Sequence, residues 1–162
     1  MTDVVALLQD FAREKLISLM RHQAAARLVV EYDFNNTYQY IINREMVQLS
    51  WLAKAIEELG GAVPADVPAV DRSPAGKAAD AARAAIDEDG REAQAFVDRW
   101  RPRISTMPNA RHAKMLGVIL GEELEAKRFF EQALAGRTDL LGKRGETLGP
   151  SHGVVLASRW IE

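Results

Sequence analysis

Residues 60 to 74, GGAVPADVPAVDRSP, cut the chain into two halves that each read as a pair of helices. Two glycines and three prolines in so short a stretch exclude a continuous helix. On either side, apolar residues recur every three or four positions, the helical period. The first segment spans residues 3 to 28, with Thr2 or Asp3 as a candidate cap. The second spans residues 34 to 59, with Asp33 or Asn35 as its cap, or the two form one long helix that bends near residue 30. Gly60 and Gly61 stop it. Ser73 and Pro74 read as a cap followed by a first-turn proline, opening a third helix that runs to about residue 104, with Gly90 as a weak point inside it. Pro102 and Pro108 bracket a turn, and Asn109 caps a fourth helix that ends at Gly136.

Connection lengths then select a topology. Short turns within each pair predict two antiparallel hairpins. An extended linker of about 14 residues spans up to roughly 45 Å, while a helix over residues 34 to 59 is about 39 Å long. The linker can therefore cross the full length of a bundle. The expectation is an all-α four-helix bundle over residues 1 to 136, built from two hairpins joined by a long crossover. Residues 137 to 162 are expected to form an irregular C-terminal extension, with one strand-like stretch, GVVLAS, packing on the bundle or on a partner subunit.

Bulk properties narrow the function classes. At 162 residues the chain has one domain's worth of core. Its net charge of −2 comes without a basic stripe, so nucleic acid is not an expected partner. No apolar run approaches the roughly 18 to 20 residues that cross a bilayer. The opening MTDVVALLQDFAREK lacks a basic start and a small-residue cleavage site, so a cytoplasmic location is the expectation. Zero cysteines exclude disulfides and thiolate chemistry. No phosphate loop, nucleophile elbow or metalloprotease helix is visible, so hydrolase and nucleotide-enzyme readings have no support.

The residues that demand an explanation are acids on apolar faces. On the second helix Phe34, Tyr38, Ile41, Ile42, Leu49, Leu52, Ile56 and Leu59 form one stripe, with Glu45 at its middle and Gln48 at its edge. An isolated carboxylate in a core is very costly, so it must meet a metal, a cation, a hydrogen-bond network or a proton. On the fourth helix Glu122 and Glu123 flank the centre of a stripe that includes Leu116, Ile119, Ala126 and Phe130. On the third, Asp89 lies within the stripe of Ile86, Ala93, Phe96 and Trp100, and Glu92 lies nearly a quarter-turn off it. On the first, Glu14 shares a face with Leu7, Phe11, Ser18, Arg21 and Ala25. Folding each hairpin brings Glu14 level with Glu45 and Asp89 level with Glu123. One inward acid per helix at matched heights is what a dinuclear metal centre in a bundle requires.

Glu45-x-x-Gln48 followed by LSWLAKAIEELGGAVP resembles the E-x-x-H helix of the ferritin-like superfamily of ferritins, bacterioferritins and rubrerythrins, which runs into Leu-Gly-Gly and a proline. Glu14 matches that family's first-helix glutamate, Asp89 or Glu92 its third-helix acid, and Glu122 or Glu123 its fourth-helix glutamate. The resemblance covers about residues 3 to 136. It implies two divalent metal ions, iron or manganese, bridged by Glu45 and one of Glu122 and Glu123, with Glu14 and Asp89 as terminal ligands and redox chemistry with oxygen or peroxide. Both family histidines are absent: Gln48 stands at the first position, and Glu125 or Ala126 at the second.

Three functional expectations follow. The leading one is a modified carboxylate-rich di-metal site with an oxidoreductase or metal-binding role. The rival is a non-catalytic bundle of the same fold, binding no metal, whose core acids are ion-paired, with Arg21 as a candidate partner, and which serves as a dimerising structural or interaction module. The third is a helical module that takes a small apolar ligand. Tyr40, Val47 and Trp51 form a second apolar group opposite the Glu45 stripe and predict a homodimer interface. His22, His112 and His152 are read as packed or surface residues.

Overall fold

The computed structural model describes residues 3–74, 76–137 and 139–141. Four helices carry the fold: α1 (Val4–Ala26), α2 (Tyr32–Glu58), α3 (Ala78–Ser105) and α4 (Ala110–Leu134), and no strand occurs among the described residues. The C-terminal extension is described only as far as Leu141; the strand-like GVVLAS lies outside the described residues.

Local chemistry sets the helix ends. Asp3 caps α1 by accepting from the Val5 and Ala6 amides, and Asn109 caps α4 by accepting from the His112 amide. The turn between α1 and α2 differs from expectation. Glu31, not Asp33 or Asn35, caps α2 by accepting from the Asp33 and Phe34 amides at 3.2 and 2.8 Å. Asn35 instead donates its amide to the Ala26 and Val29 carbonyls, satisfying the free end of α1. The start of α3 also moves. Gly76 takes a φ of 76°, a left-handed conformation that stops any helix begun at Pro74, so α3 opens later, with Lys77 at the cap position. At the end of α2, Gly60 has φ 77°, a conformation that favours glycine, and a Cβ on Gly61 would fall 2.5 Å from a methyl of Val5 and force that side chain to shift.

α1 packs on α2 and α3, and α4 packs on α2 and α3, leaving α1/α4 and α2/α3 as the diagonals. Asp10 meets Arg103, Glu14 meets Arg99 and Arg21 meets Glu88, so α1 and α3 run in opposite directions. Tyr40 stacks edge-on against Phe129 while Glu58 meets Arg111, so α2 and α4 do the same.

The core is two apolar clusters with a polar layer between them. One cluster gathers Leu8, Phe11, Leu52, Ile56, Phe96, Trp100, Leu116 and Ile119, with the Phe11 ring edge-on to Phe96 and Trp100 at 5.1 and 4.8 Å. The other gathers Phe34, Tyr38, Ile41, Ile42, Ile86, Phe129 and Phe130. Burial of these side chains drives assembly at roughly 1.5–3 kcal/mol each. Leu49 is only half-buried and Leu59 is exposed, so the α2 stripe fades at both of those positions. No helix among the described residues is long and apolar enough to cross a membrane.

Candidate functional site

The layer between the two clusters is built around Lys15, whose side chain is fully buried. Its ammonium donates to Glu45 Oε1 at 2.9 Å and to Glu123 Oε2 at 2.7 Å. It also sits 5.4 Å from the centre of the Phe96 ring, a cation–π distance. Glu45 and Glu123 are 2 % and 4 % exposed, so their charges have no recourse to water. The other Glu45 oxygen, Oε2, is 2.8 Å from His22 Nδ1. Glu45 is thus held by a cation or potential cation on each oxygen.

Burial alone pushes the Glu45 carboxyl up, but the charges and hydrogen bonds of His22 and Lys15 outweigh it and hold Glu45 below the usual range. Burial pushes Lys15 and His22 down; Glu123 and Glu45 reverse this for Lys15, and Glu45, Asp89 and Glu123 reverse it for His22, so both end above their ordinary values. With His22 protonated, two positive and two negative charges cancel within the layer.

Asp89 is also buried but belongs to a different group. It accepts from the Tyr38 hydroxyl at 2.7 Å and takes a two-pronged contact from Arg72 at 2.9 and 2.7 Å. Arg21 approaches it at 3.7 Å while pairing with Glu88 at 2.9 Å. Burial, then the Asp89 charge, raise the Tyr38 hydroxyl well above its ordinary value. Side chains therefore bridge both diagonals of the bundle: Lys15 to Glu123 between α1 and α4, and Tyr38 to Asp89 between α2 and α3.

The remaining expected ligands sit further out. Glu14 is half-buried at the rim, accepting from Arg99 at 3.0 Å and from the Trp100 ring N–H at 3.0 Å. Glu122 is partly buried between α2 and α4, where Arg44 and Gln48 both donate to it. Glu92 is exposed. Glu45 and Glu123 are the expected ligands that the structure joins through a shared partner; Glu14, Asp89 and Glu122 each have partners of their own.

A bundle of this resemblance implies two divalent ions among these acids, and the donor set does not fit them. The place between Glu45 and Glu123 is taken by an ammonium group of this chain. The cavity bounded by Glu45, Gln48, Glu122 and Glu123 holds about 10 Å³, at the lower limit for one water molecule. Among the described residues no three of His, Asp and Glu are grouped to hold a metal. A cleft of about 280 Å³ between α1 and α3 reaches this layer, lined by Glu14, Ser18, Arg21, His22, Asp89 and Glu123 among others.

Lys15 and Arg72 are residues that sequence reasoning passed over, while His22, read as packed or surface, is packed against Glu45. The buried face of α1 is broad: Leu8, Ala12, Lys15, Leu19, His22 and Ala26 lie beside Leu7, Phe11 and Ala25, and Glu14 stands at its edge. Leu7, Phe11 and Ala25 of the Glu14 face are buried as well, so a spacing of three and four does not by itself choose between Glu14 and Lys15. Arg21 does pair with a core acid as considered, though with Glu88 and Asp89 rather than Glu45. No protein-family model matches the chain, and no curated protein and no solved structure matches it.

Proposed function

We propose that the chain is a ferritin-like four-helix bundle whose core acids are ion-paired and which serves as a dimerising structural or interaction module. The observation that carries this reading is Lys15, which engages both Glu45 and Glu123 where a metal-bearing bundle would need them free. Arg72 does the same for Asp89, and Arg44 for Glu122. A buried charge with its partner supplied internally needs no ion from outside.

Support for the crossover comes from both ends of the linker. Gln9 on α1 donates to the Ala62 carbonyl at 2.8 Å, near the start of α1. Arg72 reaches Asp89 and lines a cleft with Leu28, near the end of α1. Between those anchors the linker has about ten residues, enough for roughly 33 Å of extended chain. The opposed directions of α1 and α3, and of α2 and α4, agree with such a path.

The dimer reading rests on α2. Tyr40 and Val47 are about a third exposed, and Met46 is 54 % exposed. Trp51 is partly covered by its own chain, with the Arg44 guanidinium 5.7 Å from its ring. Native mass spectrometry, after anaerobic exposure to ferrous and manganous ions, tests both halves on one sample. A metal-free dimer is the expected species. A chain carrying about two ions would overturn the ion-paired reading in favour of the di-metal site, and a monomer at high concentration would overturn the dimerising role.

A further inference from the structure

Val118 is a large apolar residue left 47 % exposed in the middle of α4. Tyr40 lies beside Phe129 and Glu58 beside Arg111, which sets Trp51 of α2 level with Val118, and Val47 level with Glu122. Val118 therefore extends the Tyr40, Val47 and Trp51 group across the α2/α4 seam into one apolar patch. Beside it stand Gly117 and Gly121, although glycine is the poorest helix former after proline. Both are exposed, and a Cβ on either would meet no neighbour within 4 Å, so no contact inside the chain requires glycine there.

The charges around the patch indicate what covers it. Lys114, Val118, Gly121 and Glu125 follow at helical spacing and share one face of α4. Lys114 lies one turn before Val118 and Glu125 one turn after Gly121, so opposite charges flank the pair symmetrically. Neither has an ion-pair or hydrogen-bond partner among the described residues. A twofold axis between Val118 and Gly121 brings each lysine to a glutamate and each valine to a glycine. A face that complements itself in shape and in charge fits a second copy of this chain.

We propose that the dimer forms through α4 as well as α2, with the two α4 helices antiparallel, Val118 of each protomer seated over the partner's Gly121 and Lys114 paired with the partner's Glu125. The inference rests on the dimerising reading above and gives it a register. Glycine lets the two backbones approach closely, where a side chain would hold them apart.

The experiment is sedimentation velocity over a concentration series on the full chain, with helical circular dichroism of each variant at low concentration. The parent is expected to dimerise. Gly121→Gln starts from a Cβ in open space, so it should stay helical and weaken the dimer at least about tenfold. Lys114→Glu sets acid against acid twice and should weaken it too, whereas Lys114→Glu/Glu125→Lys restores opposite charges and should recover the parent's affinity. Should Gly121→Gln lose its helix, the charge variants decide alone. A dimeric parent with a folded single variant unchanged, or with the double variant still weak, overturns this interface and leaves the α2 dimer reading standing. A parent that stays monomeric throughout overturns both.

Discussion

Glu122 and Glu123 are neighbours on α4, yet they occupy two different electrostatic worlds. Glu123 points inward to a fully buried ammonium, while Glu122 lies in the α2/α4 seam with Arg44, whose side chain is 32 % exposed. The same contrast separates Lys15 from Glu14 on α1, the first sealed in the core and the second at the rim with Arg99. An ion pair in water contributes little, because solvent screens it and two side chains lose freedom. A sealed pair is different: its net worth is small, but removing one partner strands the other charge. The rim pairs are therefore tolerant and the inner ones are not.

The largest test of that difference is Lys15→Met, which leaves Glu45 and Glu123 facing each other without their cation. A loss of about 3–5 kcal/mol is expected at neutral pH from urea denaturation. The loss should shrink as pH falls and a stranded carboxylate takes up a proton. Trp100→Ala, in the apolar cluster, is expected to cost a similar roughly 3–5 kcal/mol, with no such pH dependence. Adding Glu45→Gln and Glu123→Gln to Lys15→Met should recover most of the stability. If Arg44→Met at the seam costs as much as Lys15→Met, the distinction between inner and outer pairs collapses.

Next in size is Arg72→Met. It leaves buried Asp89 with Tyr38 and the more distant Arg21, and about 2–3 kcal/mol is expected. Because Arg72 lies in the linker, the same variant should speed amide exchange in residues 62 to 72, while Lys15→Met should not do so selectively.

His22 gives a pH-dependent effect of intermediate size. Its folded value is raised above 6.5, so its contribution is fully present below pH 6.5 and fades as pH climbs through the raised value. Glu45 is lowered below 4.5, so its contribution is present above pH 4.5 and fades as pH falls through the lowered value. Stability should be flat between those limits and decline on the alkaline side. His22→Gln should cost roughly 1.5–2 kcal/mol near pH 6, in line with a hydrogen bond to a charged group, and should flatten the alkaline decline. An unchanged decline in His22→Gln would show that another group carries it.

Much of this was legible in the sequence. The stripe on α2, with Glu45 at its centre, needed only the 3.6 period, even though Tyr40, Val47 and Trp51 lie on the opposite face. α1 is apolar on nearly all sides, so its rotation could not be read from hydrophobicity, and a lysine is the residue least expected inside. A one-residue turn of that helix exchanges Glu14 for Lys15 and a metal ligand for an internal cation. Glu122 and Glu123 straddle their stripe, and only the packing of α2 against α4 decides between them. Arg72 was beyond reach for another reason. Its contact with Asp89 is made by an irregular linker, where no periodicity fixes which way a side chain points.

The smallest effects belong to Glu14, and there charge and hydrogen bonding can be separated. Glu14 faces Arg99, whose side chain is 49 % exposed, and it also accepts from the ring N–H of Trp100, a residue sealed in the core. The charge should matter little: Glu14→Gln keeps an acceptor oxygen and is expected to change stability by no more than about 0.5 kcal/mol, an effect that salt erases. The acceptor should matter more. Glu14→Ala leaves the Trp100 N–H without its partner at the edge of the core, and about 1 kcal/mol is expected, independent of salt. Denaturation of both variants at low and high ionic strength reads the two terms directly. Equal losses that both vanish in salt would mean that the Arg99 pair, not the tryptophan, anchors this end of α1. The rim would then be governed by charge after all, and its contrast with the buried Lys15 pairs would be one of degree.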